Sequence, residues 1–321
     1  MQLTPDEQKL WQIFHPYAAD REAKALSQRT RFVHYTSADA AMKIIRNREL
    51  WMRKSTCMND SSEVRHGLEC LANAYNKSDA GKKLTSILDR HFNGLRAEIE
   101  GAFNNNFSRF ILLDTYLTCV SEHRDEEDTL GRLSMWRAYG ATTSVALVMN
   151  NSAFLTPSDA LKAYTSPVAY CDENKFAEEF GKVVNNIETG IDFLKQQDRE
   201  LIIKPYLFRM LAFAAICTKH LGFAEELEWR VVHCPWWAKS AHLQRAIEVI
   251  QGVPQPIYKI PLKDIPNELV GVEIPALLDR IIIGPTRDPQ PIWEAFKDLL
   301  AESGVYEPHK KVYLSNIPLR T

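Results

Sequence analysis

The sequence predicts an α+β fold: a mixed or antiparallel sheet core with long helical insertions. Two observations carry the prediction, nine short β-rich runs spread over the whole chain and long helical patterns between them. A third is the composition of the 321 residues, 45% hydrophobic, 25% charged and 10% aromatic, which is that of a folded globular chain. No repeat or low-complexity linker appears, and Gly and Pro are dispersed, so residues 1–321 read as a single α+β domain. Its helical parts are an N-terminal segment at 1–30 and insertions at about 62–107 and 172–222.

In order, the β-rich runs are 31–36 (RFVHYT), 50–55, 115–121 (TYLTCVS), 144–149, 167–171, 228–234 (EWRVVHC), 257–262, 280–283 and 311–315. The helical region at 62–107 is polar and is expected over the surface. At 172–197, Phe176, Phe180, Val184, Ile187, Ile191 and Leu194 step by three and four, which makes one apolar stripe. Such a stripe seats a helix on its own domain or forms a short coiled-coil seam, and the second case predicts a homodimer through this helix. Residues 201–221 are apolar on almost every side and end at Gly222, which tolerates left-handed C-cap geometry, so a central buried helix is expected.

The formal net charge is −2, which rules out a whole-molecule basic field drawing the protein onto nucleic acid or anionic lipid. Charge is uneven locally: residues 21–54 hold nine Lys or Arg against three acids. That stretch either holds an anionic ligand or is a solvated helix face of alternating charge. No apolar run approaches the roughly 20 residues of a spanning helix, and no basic start, apolar run and small-residue cleavage site opens the chain. The expectations are therefore no membrane span and a cytoplasmic location. Six scattered cysteines without a C-x-x-C pair fit reduced, mostly buried thiols.

Four constellations could carry chemistry. In R-F-V-H-Y-T-S, the period-2 strand puts Phe32, His34 and Thr36 on one side and Val33, Tyr35 and Ser37 on the other, with Ser37 or Asp39 placed to cap the following helix. In C-M-N-D-S-S-E-V-R-H, Asp60 and Glu63 fit a helix N-cap with its reciprocal carboxylate. The same Asp60, Glu63 and His66, joined by His34, could instead ligate a metal, although no H-E-x-x-H spacing exists in the chain. After the acidic run E-H-R-D-E-E-D at 122–128, Trp136 and Tyr139 stand three apart on one helix face, as a stacking platform for a planar ring or as a core anchor. Finally, in E-E-L-E-W-R-V-V, Glu226 and Glu228 lie on one face of an extended segment with Arg230 continuing it. Two acids so close are expected to raise one pKa, and the rival reading is an ion pair between Glu228 and Arg230.

The pieces F-V-H-Y-T-S, M-N-D-x-x-E, Y-L-T-C-V-S-E, M-W-R-A-Y-G, E-x-E-W-R, I-I-I-G-P and V-Y-L-S-N-I-P, spanning about 32 to 318, resemble an uncharacterised bacterial family known as domain of unknown function 2971. More distantly, the strand H-Y-T-S, the middle aromatic motif and the late strand-entry Glu look like the H-Y-E layout of ADP-ribosyltransferases, including bacterial nucleic-acid-modifying toxins. That likeness implies NAD as substrate and no metal. It implies that His34 holds a ribose, Tyr35 or Tyr139 stacks on nicotinamide, and Glu228, completed by Glu226, bonds the nicotinamide ribose, with Thr36, Ser37, Asn59, Trp136 and Arg230 around the cofactor. Basic residues near Arg31 and Arg53 would offset the pyrophosphate. Two departures stand against it: no middle S-T-S strand is present, and the helices at 62–107 and 172–221 exceed a compact transferase core.

The leading functional expectation is thus an NAD-consuming ADP-ribosyltransferase-like enzyme, a toxin or anti-phage effector with a nucleic-acid or protein acceptor. One alternative is a non-catalytic regulatory module that recognises a nucleotide or peptide through Trp136, Tyr139 and His34. The other is a metal-dependent hydrolase or nuclease.

Overall fold

The computed structural model of the chain describes residues 3–58, 63–103, 108–139 and 143–318. Helix α1 (Pro5–Phe14) begins in a capping box, Thr4 with Glu7, and α2 (Pro16–Ser27) leads into β1 (Arg31–Ser37). Ser37 then caps α3 (Ala38–Asn47) by accepting from the Ala40 amide at 3.2 Å. Arg48, in left-handed geometry, turns the chain into β2 (Glu49–Lys54). Next come α4 (Glu63–Lys77), α5 (Asp79–His91), α6 (Leu95–Ala102) and α7 (Ser108–Leu113), then β3 (Tyr116–His123) and α8 (Leu133–Tyr139). After them run β4 (Ser144–Met149), α9 (Ser152–Leu155), β5 (Ala163–Pro167), β6 (Ala169–Tyr170), α10 (Glu173–Thr189), α11 (Ile191–Leu194) and α12 (Lys204–Ile216). The chain finishes through β7 (Thr218–Lys219), β8 (Glu228–His233), β9 (Gln244–Ile250), β10 (Val253–Pro261), α13 (Ile274–Leu277), β11 (Leu278–Ile283), α14 (Pro289–Glu302) and β12 (Val312–Leu314).

Ten of these strands form one mixed sheet in the order β12-β11-β4-β1-β3-β2-β10-β9, with β8 on β3 and β5 on β8. Its ladders are antiparallel except β11 with β12. This is the expected α+β class. The sheet splits along β3. The start of β1 pairs with the end of β3 (Val33 opposite Ser121), while β2 pairs with its beginning (Arg53 opposite Leu117), so the two strands diverge and leave Thr118–Val120 between them. On the far edge of β3, β8 pairs without interruption, Ser121 opposite Glu228 and Cys119 opposite Arg230.

Both faces are covered, which is why β4 and β8 are buried at every position. One face carries Phe32, Val120, Leu147, Trp229 and Val231 and packs on α3 and α14. The other carries Leu117 and Val232 beneath α4, α5, α10 and α12, and Val33, Tyr35 and Ala146 beneath α8.

Several helical expectations change on contact with this packing. The α10 stripe, Phe176, Phe180, Val184 and Ile187, is buried against the chain's own helices, so it seats the helix on its own fold. Helices α4 to α6 are not a polar surface layer: Leu71, Ala74, Leu84, Leu88, Leu95 and Ile99 belong to the largest core cluster, each on the inner face of an amphipathic helix. The central apolar helix is present as α12, but it ends at Ile216, six residues before Gly222, because Thr218 and Lys219 pair with Ala169 and Tyr170. Gly222 instead lies in a 3-10 turn, and Leu201, in the π-helical turn before α12, is 75% exposed.

Candidate functional site

On β8 the strand alternation sends Glu228 and Arg230 to the face of Leu117, Val232 and Tyr35, and Trp229 and Val231 to the face that packs on α3 and α14. Glu228 is 6% exposed. Its Oε1 accepts from Arg230 Nε at 2.7 Å and its Oε2 accepts from Lys219 Nζ at 3.1 Å. Lys219 also donates to Glu226 Oε2 at 2.8 Å, so one ammonium ties the two acids of E-x-E together. A single residue in left-handed conformation, Leu227 (φ 48°), makes the turn between them. The expectation that crowding would raise a carboxyl pKa is overturned for Glu228. Burial by itself raises it, but the charges of Arg230 and Lys219, with hydrogen bonds from Arg230 and from the Cys119 thiol, carry it down to about 2. Glu228 is an ionised carboxylate, paired with Arg230 as the rival reading had it.

Two phenols close over this cluster. The Tyr170 hydroxyl accepts from the Glu228 amide at 2.8 Å, and Tyr139, at the end of α8, lies in the field of Glu226, Lys219, Glu228 and Cys119. Burial, and then Glu226, push the Tyr139 hydroxyl above its ordinary pKa, so it stays a donor. Tyr35 points to this face too; its hydroxyl accepts from the Arg132 amide at 2.8 Å and its ring meets Trp136 edge-on at 4.8 Å. Trp136 is an anchor and not an open platform. It is 2% exposed, its indole N–H donates to Leu130 O at 2.8 Å, and its ring lies so close to Gly131 that a Cβ there would come within 2.5 Å of it. Gly131 is in the left-handed region (φ 68°), where glycine is also the residue the backbone accepts best.

His34 goes the other way. Its cross-strand partner is Leu147, on the face of Phe32 and Val231, and with them it is separated from the carboxylates by the sheet. The ring fills the split: Nδ1 donates to Cys119 O at 2.9 Å, where the β1–β3 ladder has ended. A carbonyl only accepts, so Nδ1 carries the proton. Burial holds the imidazole below its usual pKa against the opposing effect of that bond, which leaves the ring neutral and Nε2 an acceptor. His34 lines a cavity of about 800 Å³ with Ile45, Leu50 and Leu147. His34, Trp136, Tyr139 and Glu228 are therefore divided: Tyr139 and Glu228 share one side with the buried Trp136, and His34 faces the cavity of about 800 Å³ on the other. Thr36 is directed to the His34 face, opposite Val145, and Ser37 is spent as the α3 cap.

The basic stretch and the acidic run find each other. Arg31 bonds Asp125, Asp128 at 2.8 Å and Asp279 at 2.8 Å, and Arg21 pairs with Glu122. Arg132 bonds Glu127 at 2.8 Å, and Arg53 donates to Gln255 at 3.1 Å. Arg31 is consequently committed to three aspartates. Asn59 and Asp60 lie outside the described residues. Among those described, no three His, Cys, Asp or Glu side chains gather in a metal-ligating arrangement, and the imidazole of His66 is turned to Cys171 O at 3.0 Å.

Lys219, Tyr170 and Cys119 had no signal in the sequence. Lys219 precedes Glu226 by seven residues, and only the 3-10 turn Leu221–Glu226 brings it back onto the acids.

No curated protein and no solved structure matches the chain. A family model described as "Protein of unknown function (DUF2971)" matches residues 135–231, which run from α8 to β8 and hold Trp136, Tyr139, Tyr170, Lys219, Glu226, Glu228 and Arg230. In the stretch that carries this cluster, the chain is similar to that family.

Proposed function

We propose that the protein consumes NAD as an enzyme of the ADP-ribosyltransferase type, with Glu228 facing the reacting ribose. The observation that supports this reading best is an ionised carboxylate held on a strand beside a second acid, with the Tyr139 hydroxyl in the electrostatic field of both. A carboxylate kept charged by fixed partners needs no reorganisation when positive charge develops near it. In the reaction, the bond between nicotinamide nitrogen and ribose C1′ breaks, and its electron pair leaves with nicotinamide. The oxocarbenium-like ribose is then attacked by a nucleophilic oxygen or nitrogen of water, protein or nucleic acid, which releases a proton. An acceptor of that kind suits a toxin or anti-phage effector, and no step calls for a metal ion. The pyrophosphate would compete with Glu226 and Glu228 for Lys219, so substrate binding itself would uncover the carboxylate. His34 would act through Cys119 and not by contact with the ribose.

A second reading, a non-catalytic module that binds a nucleotide or peptide, is favoured by the saturation of Glu228 with Lys219 and Arg230 at 6% exposure. Incubation of the wild type with NAD separates the two. Nicotinamide release supports the enzyme, and saturable binding without release supports the module. A wild type that neither binds nor cleaves NAD ends the NAD assignment.

A further inference from the structure

The cavity against His34 has a chemistry of its own. Its walls are apolar along Ile45, Leu50, Leu147, Ile260 and Leu277, and at about 800 Å³ it has the volume of a site for a drug-sized ligand. Arg209 of α12 also lines it, and this arginine is unusual. Among the described residues its guanidinium makes no ion pair and no hydrogen bond, and its Nε is buried without a partner. Three aromatic rings surround it instead, Tyr164 at 4.1 Å, Trp11 at 5.2 Å and Phe213 at 5.5 Å. Cation–π contacts offset part of the cost of burying a charge, but they leave the N–H donors unused. The two acids that act on it most are engaged elsewhere: Glu22 accepts from the Trp11 indole at 2.9 Å, and Asp159 bonds Lys162 at 2.9 Å and Tyr164 at 3.0 Å.

We propose that this cavity binds a monoanionic amphiphile, an acyl-type carboxylate, with its apolar body against Leu147 and Leu277 and its carboxylate on Arg209. The shape of the cation selects the head group, because a guanidinium with free N–H donors matches a carboxylate in two parallel bonds. Charge selects the valence. Arg209 is the one Lys or Arg in the lining among the described residues, whereas Glu7, Glu22, Asp159 and Glu268 also line it, so a dianionic phosphate would meet more repulsion than it could offset. The neutral His34 Nε2 adds an acceptor that favours a hydroxyl-bearing chain. This site is separate from the Glu228 cluster, and its test does not involve NAD.

Isothermal titration of the full chain with dodecanoate below its micellar concentration, beside dodecan-1-ol and dodecyltrimethylammonium, tests the proposal. Dodecanoate is expected to bind saturably at one site, with the alcohol and the cation weaker by at least about tenfold, the size of a charge-assisted hydrogen-bonded pair. Arg209→Met should lose that preference for the acid, and Ala153→Trp, which fills the cavity wall, should abolish binding of all chains. Absence of saturable dodecanoate binding to the wild type, or equal affinity for acid and alcohol, overturns it without recourse to a variant.

Discussion

His34 and Glu228 hold the same residue from opposite sides of the sheet. The imidazole Nδ1 donates to the carbonyl oxygen of Cys119 at 2.9 Å, and the carboxylate accepts from the thiol of Cys119. Cys119 sits where β1 and β2 part from β3, between the Val33–Ser121 pair and the Arg53–Leu117 pair. The pair thus closes a gap in the sheet, with a side chain in place of a ladder hydrogen bond, and any disturbance at His34 reaches Glu228 through one residue.

The first prediction follows from that bond. His34→Leu keeps the apolar bulk and leaves the Cys119 carbonyl with one partner fewer, a loss of about 1–3 kcal/mol for a buried group. Urea unfolding should show the loss, and hydrogen exchange should quicken at the amides of β3 next to the split. Unchanged stability would mean that water replaces the imidazole at no cost.

Histidine burial sets the acid side of the stability curve. His15, His34, His123 and His233 all titrate below the usual 6.5 because burial disfavours their charged forms. The unfolded chain therefore binds more protons than the folded one just below pH 6.5, and stability should fall as pH drops through that value towards the lower folded pKa values. Thermal midpoints between about pH 5 and 7 check the sign, and replacing His34 by Gln should flatten part of the slope.

Glu22 has the opposite sign. Burial raises its carboxyl to about 7, more than the Trp11 hydrogen bond and Arg209 lower it, against 4.5 as the ordinary value. Folding stabilises the protonated form, a contribution present below pH 4.5 and lost as pH rises through about 7. Glu22→Gln keeps an acceptor for the Trp11 indole without the charge, so it should raise the thermal midpoint at pH 8 by roughly the effect of 3 kcal/mol and change far less at pH 5. A midpoint that drops equally at both values would show that the carboxylate, and not the neutral acid, is the stable partner of Trp11.

The strands were legible where burial on one face gave alternation or where a β-branched run stood between turns, as at β1, β4, β8 and β11. Strand β9 was not, since its outer residues Ile247 and Val249 are 71% and 66% exposed and no core pattern marks it. The carboxylate pair and its Arg230 neighbour were readable because they are adjacent in sequence on one strand. The rest of their surroundings was not, because Lys219 returns through a turn, Tyr170 lies on a two-residue strand and Cys119 is brought there by pairing with Arg230. Period-2 alternation within β1 did separate His34 from Tyr35, but which of the two faces Glu228 shared depends on how β1, β3 and β8 pair, and no local pattern encodes that register.

The last prediction tests what Glu228 does. Its folded pKa near 2 lies below the ordinary 4.5, so the carboxylate contributes stability that is complete above about pH 4.5 and is lost as pH falls through about 2. Glu228→Gln removes the charge that Arg230 and Lys219 share, and breaking this buried ion pairing should cost about 3–5 kcal/mol at pH 7. That loss alone would lower any activity by unfolding, so the informative comparison is with Glu228→Gln carrying Lys219→Met, which deletes one of the cations that Glu228 had offset and should regain part of the stability. If Glu228 stabilises an oxocarbenium-like ribose, nicotinamide release by the double variant, measured at a temperature where it is fully folded, should stay at least about a hundredfold below that of Lys219→Met alone. If the carboxylate only balances its cations, the double variant and Lys219→Met should release nicotinamide at the same rate, and Glu228 loses its place in the chemistry.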